Sequence, residues 1–369
     1  MSNVTDSSTV NLINNISAEI NRYITLFVLL FGTTGNLLNT LLLSQPNLRS
    51  NPCVLYFLGS SISSLGIMLV GLPTRFIGGW ISTDPTNTNA FLCKFRIFLL
   101  YGFRTTSVWL IVLATVDRWF ASSVRVTRRF LSSRRIAHKC IFIIHILSFL
   151  LWSQTLYCYN TNLPQVPLQC YGMSPKCQIF NDVGYAITTV LIPSVLMLVF
   201  GLLTIHNIKG SQRAVVPFIG TIHRISALNT RKRRKRRFNK GSLTGMLLLQ
   251  VILLTLLSLP QALQQLYLAF TISTIRSPLR HAIENFIINI NFSLTYVGNS
   301  IPFYIYTLTG VLFRRTFIRL IRSIYRQSIV VRLLFSLVFD RTKKYKSNYS
   351  SVLYSSSLLN KFYFSKPTK

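Results

Sequence analysis

Long apolar runs joined by short polar connections dominate this sequence. Tyr23–Leu48, Ser50–Thr74, Cys140–Pro175, Val183–Ile208, Gly241–Ile275 and Asn285–Phe313 carry no Asp, Glu, Lys or Arg, and each is at least 25 residues long. A bilayer core of roughly 30 Å is crossed by about 20 residues of helix, so each run can hold one span. A seventh run, Cys93–Trp119, is comparably apolar but carries Arg104 in its middle. The predicted spans are 24–44, 53–73, 93–119, 139–159, 183–207, 243–271 and 282–308. Pro46, Asn51-Pro52, Pro164, Pro167, Pro175 and Pro278 punctuate the connections. The pattern therefore predicts an all-α membrane protein, a bundle of seven transmembrane helices over 23–310. Residues 1–22 form a polar segment before it, 311–327 an interfacial helix after it, and 328–369 a tail. Residues 1–22 contain no basic stretch followed by an apolar core, so the first helix is expected to act as its own insertion signal.

Composition agrees with this picture and charge orients it. Half the residues are hydrophobic and only 13% are charged, which excludes a disordered chain and an ordinary soluble domain. Lys and Arg number 40 against 7 acids, a net charge of +33. Such an excess points to nucleic acid or to a membrane surface. Its distribution decides between them. Thirty-two of the forty basic residues fall after helix one, between Arg118 and Lys139, between Lys209 and Lys240, and from Arg314 onward. The other eight are Arg22, Arg75, Lys94, Arg96, Arg104, Lys176, Arg276 and Arg280. The positive-inside rule then sets the N-terminus outside and the tail in the cytoplasm. The basic run Arg231–Arg237 is read as a cytoplasmic loop held near anionic lipid rather than as a nucleic-acid site. After the seventh span, Phe313, Phe317, Leu320, Ile321 and Ile324 share one helical face, edged by Arg314, Arg315, Arg319, Arg322 and Arg326. That is the pattern of a helix lying in the membrane interface. No Cys follows Cys177, so it has no palmitate site. Sequons at Asn3 and Asn15 are candidate glycosylation sites in the outer N-terminal segment.

Several spaced motifs then converge. Asp117-Arg118-Trp119 closes the inner end of the third span, and Cys93 opens that span 24 residues earlier. Gly35-Asn36 lies in the first span, Pro193 in the fifth and Pro260 in the sixth. The seventh ends in Asn299-Ser-Ile-Pro-Phe-Tyr-Ile-Tyr306, with Phe313-Arg314 following. In this order and spacing, about residues 24–326 resemble the rhodopsin-like G-protein-coupled receptors. The end of the seventh span, the Leu-Pro of the sixth and the hairpin-length second outer loop look most like invertebrate receptors of the FMRFamide type. The resemblance implies a plasma-membrane receptor with an extracellular ligand, a neuropeptide by this likeness. It also implies a heterotrimeric G protein and arrestin as cytoplasmic partners. Asp117, Arg118, Trp119 and Tyr306 become the G-protein-coupling residues, and Asn36, Pro193, Pro260 and Asn299 structural ones. A guanidinium at a helix end needs a partner: Asp117 would hold Arg118 at rest, and the parted helices would free it for an inserted G-protein segment.

The resemblance also pairs Cys93 with a cysteine of the second outer loop. Cys170 and Cys177 compete. Cys177 lies only 16 residues before Pro193 and Cys170 lies 23 before it, so Cys170 is favoured. Cys158 could pair with Cys177, while Cys53 and Cys140 face the reducing side as small core residues.

Three features depart from the family. No acid occurs in the second helix, so Asn36, Ser64, Ser107 and Asn299 would form only a neutral cluster, without the carboxylate a sodium ion needs. Pro302-Phe303 replaces the usual Asn-Pro, and Ser258 stands where an aromatic switch residue is usual, two residues before Pro260. The acid that often holds the third-helix Arg from helix six is replaced by the basic stretch Arg236–Lys240.

Arg104 is the residue outside these motifs that asks for a function. It lies eleven residues past Cys93, roughly 16 Å into the membrane, where a charge faces the bundle interior by default. Arg75 is expected to line the same cavity, and both to meet a carbonyl or carboxylate of the ligand. Asp182 and Glu284 are candidate partners for Arg104, or with Asp84 a rim for basic ligand residues. The third helix has no acid above Asp117, which disfavours an amine ligand. A small non-amine molecule with a carboxylate or carbonyl is the alternative ligand class, and a non-signalling decoy the alternative function. The histidines and acids show no spacing for a metal site or for catalysis, so neither cofactor nor enzymatic activity is expected.

Overall fold

A computed structural model describes residues 2–80, 85–161, 170–213, 227–272, 274 and 276–327. Asp84, Asp340 and the tail from 328 lie outside these residues, as does the side chain of Asn3 and those of the run Arg231–Arg237. Residues Met1–Phe313 form one compact unit and Arg314–Lys369 a second.

Seven long helices make the first unit: α1 (Ser2–Leu43), α2 (Pro52–Trp80), α3 (Ala90–Ser122), α4 (Arg134–Trp152), α5 (Pro175–Tyr185 and Ile192–Arg213, joined by a π turn at Ala186–Leu191), α6 (Ala227–Phe270) and α7 (Pro278–Ser300). A last stretch, Pro302–Thr309, continues the direction of the chain beyond α7, and α8 covers Val311–Gln327. The first six are long and apolar enough to cross a membrane. The seventh is less apolar because Arg280, Glu284 and four asparagines interrupt it.

Their starts follow local chemistry. Ser133, Ser174 and Ser277 each accept a hydrogen bond from the backbone N–H three residues on, and Asn89 does the same for Phe91 and Leu92. These side chains satisfy donors that a helix N-terminus leaves unpaired. Ser174-Pro175 and Ser277-Pro278 add a proline at the first helical position, where its missing N–H costs nothing. Pro302 acts similarly inside the seventh span, where the helix stops at Ser300 and restarts.

The helices overrun the spans. The polar residues from Ser2 onward are helical and continuous with the first span, so α1 is about 63 Å long at 1.5 Å per residue. The fourth ends earlier than the pattern predicts, at Trp152, because the chain turns through Thr155–Cys158 into a hairpin. Strand β1 (Tyr159–Thr161) pairs antiparallel with β2 (Cys170–Gly172), Asn160 opposite Tyr171.

Two disulfides anchor this hairpin. Cys93–Cys170 ties β2 to the first turn of α3, and Cys158–Cys177 ties the approach to β1 to the first turn of α5. Both pairings agree with the sequence reading. Cys53 and Cys140 are free, also as expected.

Between apolar helices in a bilayer, close approach of small residues replaces a hydrophobic driving force. Gly32 packs against Ser300 and Gly71 against Tyr296. A Cβ on Gly71 would lie 2.1 Å from Tyr296 Oη and 2.9 Å from Leu100 Cδ2. Gly71→Ala is therefore expected to displace the Tyr296 ring and to cost about 1–3 kcal/mol, as overpacking does. A melting temperature of the purified protein equal to wild type would contradict that packing. Large apolar side chains on α4 point outward instead, Phe142 being 67% exposed, which suits contact with lipid.

Candidate functional site

A cavity of about 630 Å³ opens at the end of the bundle that carries the disulfides, within the usual size range of ligand sites. Five helical faces, from α1, α2, α3, α6 and α7, and the hairpin wall it. From α1 come Asn14, Ser17, Ala18 and Asn21; from α6 come Gln261, Gln264, Gln265 and Leu268. Both sets follow i, i+3, i+4, i+7, the spacing of one helical face. The α7 wall includes Asn285, Asn289, Phe292 and Tyr296, and the hairpin contributes Tyr159, Cys170 and Tyr171.

Arg75 and Arg104 both line this cavity, as the sequence suggests. Arg75 sits between two helices: its Nη2 donates to Asn21 Oδ1 at 2.9 Å and to Asn289 Oδ1 at 2.8 Å. Arg104 lies deeper and is 4% exposed. Its Nη1 donates to Tyr185 Oη over 3.4 Å, and its guanidinium carbon stands 4.8 Å from the Tyr296 ring centre and 5.9 Å from that of Phe292. Arg75 faces the same Phe292 ring at 5.1 Å. The Nε of Arg104 has no hydrogen-bond partner. Ring faces stabilise a desolvated cation by about 2 kcal/mol, less than the several kcal/mol that burying an ion costs. Arg104 is thus a buried cation whose surroundings are neutral.

The two acids expected near Arg104 are engaged elsewhere. Asp182 is buried and accepts a short hydrogen bond from Tyr171 Oη. Glu284 accepts from Arg276 Nε at 2.7 Å, Arg280 Nε at 2.8 Å and Tyr267 Oη at 2.9 Å. Neither lines the cavity. The reason is local. Arg280 is one helical turn from Glu284 on the same face, and the hairpin brings Tyr171 onto α5 before any acid can reach α3. A rim of acids for basic ligand residues is therefore absent among the described residues.

Below Arg104 is a second, water-sized space of about 20 Å³, bordered by Ser258, Thr295 and Asn299. Ser258 Oγ donates to Leu254 O at 2.7 Å, one turn back along α6, which runs on through Pro260. Asn36 Nδ2 donates to Asn299 O at 3.0 Å, while Ser64 and Ser107 meet at 3.0 Å, joined by Ser60. The expected neutral cluster is thus two separate hydrogen-bonded groups. Pro193 is the second residue of the helical segment that follows the π turn of α5.

At the other end of the bundle Arg118 is 6% exposed. Its Nη2 pairs with Asp117 Oδ2 at 2.6 Å and donates to Asn51 Oδ1 at 2.8 Å. Ser132 Oγ holds the second Asp117 oxygen at 2.7 Å. Asn51 precedes Pro52, the first residue of α2, and by sequence it is only a turn residue. Trp119 packs on Phe200 with ring centres 5.3 Å apart, and Arg128 covers it at 5.3 Å. Tyr306 is buried, its Oη donating to Gln250 Oε1 at 2.5 Å and its ring 5.1 Å from Phe57. Among the described residues no group of His, Cys, Asp and Glu could hold a metal ion.

An FMRFamide peptide receptor of Caenorhabditis elegans, frpr-18, is 28% identical over 131 residues, 34% of this chain and 30% of that receptor. The chain thus spans about a third of the length of the curated relative it matches. Residues 35–305 match the 7 transmembrane receptor (rhodopsin family), a stretch that contains the Cys93–Cys170 bridge, the cavity arginines Arg75, Arg96 and Arg104 and the Asp117–Arg118 pair. With that match, the bundle and its disulfide-capped cavity, the chain belongs to the rhodopsin family of seven-transmembrane receptors.

Proposed function

We propose that this receptor sits in the plasma membrane with its N-terminus outside, binds an extracellular neuropeptide in the 630 Å³ cavity and activates a heterotrimeric G protein. One observation carries the reading. A single helix, α3, bears the disulfide to the hairpin at one end, Arg104 on the cavity wall and the buried Asp117–Arg118 pair at the other end. Arg104 and Arg118 are fourteen residues apart, about 21 Å, so a ligand that shifts α3 can disturb the pair without touching it. The amide-rich walls favour a peptide, whose backbone offers a donor and an acceptor at each residue. The similarity to an FMRFamide peptide receptor supports the same class.

The remaining expectations fit this arrangement. Asp117, Arg118, Trp119 and Tyr306 form the G-protein-facing group. Arrestin would engage the same face. The basic edge of α8 and the loop basic residues bind anionic lipid at about 1 kcal/mol each near the surface. Asn15 is exposed on α1, accessible to glycosylation on the outer side.

The test is a peptide library applied to cells that express the full chain with G-protein activation sensors. Ligand-driven activation that disappears in Arg118→Ala supports the reading. Peptide binding without any sensor response would make the protein a decoy. Asn51 supplies a second measurement. Asn51→Ala removes a side chain that holds Arg118 and, at about 1.5–3 kcal/mol for a hydrogen bond to a charged group, should raise basal activation about tenfold or more. Unchanged basal activation at equal surface expression would show that Asn51 does not restrain Arg118.

A further inference from the structure

We infer that the deep end of the cavity is a carboxylate site: the ligand group that reaches Arg104 is an anion carried next to an apolar or aromatic residue. The inference deepens the peptide-receptor reading and rests on it. It also narrows that reading, because a C-terminal amide or a basic side chain is not what this pocket is built to hold.

Three observations carry it. First, Arg104 is 4% exposed on the cavity wall, its Nε is unpartnered and its Nη1 makes a long hydrogen bond to a neutral tyrosine. A guanidinium in such surroundings is completed by an acceptor of opposite charge, and a carboxylate matches its planar fork. Second, among the described residues the charged side chains that line the cavity are the three arginines Arg75, Arg96 and Arg104, while Asp182 and Glu284 are bound to other partners. Low-dielectric walls concentrate that field on an incoming anion and repel a cation. Third, the rings around Arg104 leave an apolar collar. Phe292 and Tyr296 face the guanidinium, and Leu100 packs in the same apolar cluster. The residue bearing the carboxylate is therefore apolar or has an apolar neighbour. The amides of α1, α6 and α7 lie elsewhere on the same wall, available to the peptide groups that follow.

A terminal carboxylate and the side-chain carboxylate of an acidic ligand residue offer the same chemistry, and three probes separate them. Purified full chain in nanodiscs would be titrated with N-acetyl-L-phenylalanine, with its C-terminal amide, and with N-acetyl-aspartyl-phenylalaninamide, binding being read by saturation transfer from protein to probe. The free acid is expected to bind about tenfold more tightly than the amide, the difference between a charge-assisted and a neutral hydrogen-bond pair. Preference for the first probe assigns the site to a terminal carboxylate, and preference for the third to an acidic side chain. Arg104→Gln should abolish the preference and Arg104→Lys should keep part of it. The wild-type comparison stands even if either variant fails to fold. Equal binding of acid and amide, a preference for the plain amide, no binding of either acid, or a preference that survives in a folded Arg104→Gln protein overturns the inference. Should amidated peptides still activate the sensors through Arg118, only the carboxylate assignment fails. Should no peptide of either form activate them, the receptor reading itself fails.

Discussion

Arg118→Ala is expected to reduce ligand-driven G-protein activation to background while leaving ligand binding within about threefold of wild type, a difference below 1 kcal/mol. On the proposed function, the substitution removes the group offered to the G protein. It also strips Asp117 of its cation in a site where both side chains are nearly buried. Breaking one half of a buried pair costs about 3–5 kcal/mol, so lower surface expression should accompany the loss, and signalling must be compared at matched expression. Asp117→Asn separates the two effects. Asparagine keeps the volume and can still accept from Ser132, 2.7 Å away, but holds Arg118 by a neutral contact. Basal activation should rise rather than fall. If Arg118→Ala signalled like wild type, Arg118 would be a structural residue and the proposed coupling face would lie elsewhere.

The second large effect concerns the hairpin. Replacing Cys93 and Cys170 together with serine should remove most receptor from the cell surface and most binding from the remainder. The Cys93–Cys170 bridge closes a loop of 77 residues and the Cys158–Cys177 bridge one of 19. Chain entropy alone assigns them about 4–5 and about 3 kcal/mol. Helices already inserted in a bilayer restrict the unfolded chain, so these are upper values, but their order holds. The long bridge also positions Cys170 and Tyr171 on the cavity wall, whereas the short one closes a local turn. Cys158→Ser with Cys177→Ser should therefore lower the melting temperature and leave binding largely intact. Equal loss of binding in both double variants would contradict the wall role of β2.

Much of the architecture was legible from pattern alone. Runs of at least 25 residues without a charge have one physical home. The skew of 32 basic residues to one side follows from the cost of moving positive charge across a bilayer. Pro175 and Pro278, read as punctuation, stand at helix starts, while the Cys93–Cys170 pairing came from the family resemblance rather than from pattern. The aspartate adjacent to Arg118 is a local arrangement that spacing reveals. The cavity was half legible. Arg104 and Arg75 stand out because a charge at that depth demands an interior position. Asn14, Ser17 and Asn21 carry a signal, a polar stripe at helical spacing, but it appears only once the polar N-terminus is known to be helical.

What the sequence determined by itself is the number of apolar spans and their order, since these depend on composition within one segment. Only the tertiary structure decided which polar groups meet. Asp182 and Glu284 were equally available to Arg104 along the chain, yet one is held by Tyr171 and the other by Arg276 and Arg280. Asn51, a turn residue by sequence, proved a second restraint on Arg118. Pairing across helices depends on which faces the packing of glycines, rings and the disulfide-bound hairpin turns toward each other. A buried charge takes the partner that this packing brings within reach, and linear spacing does not record it.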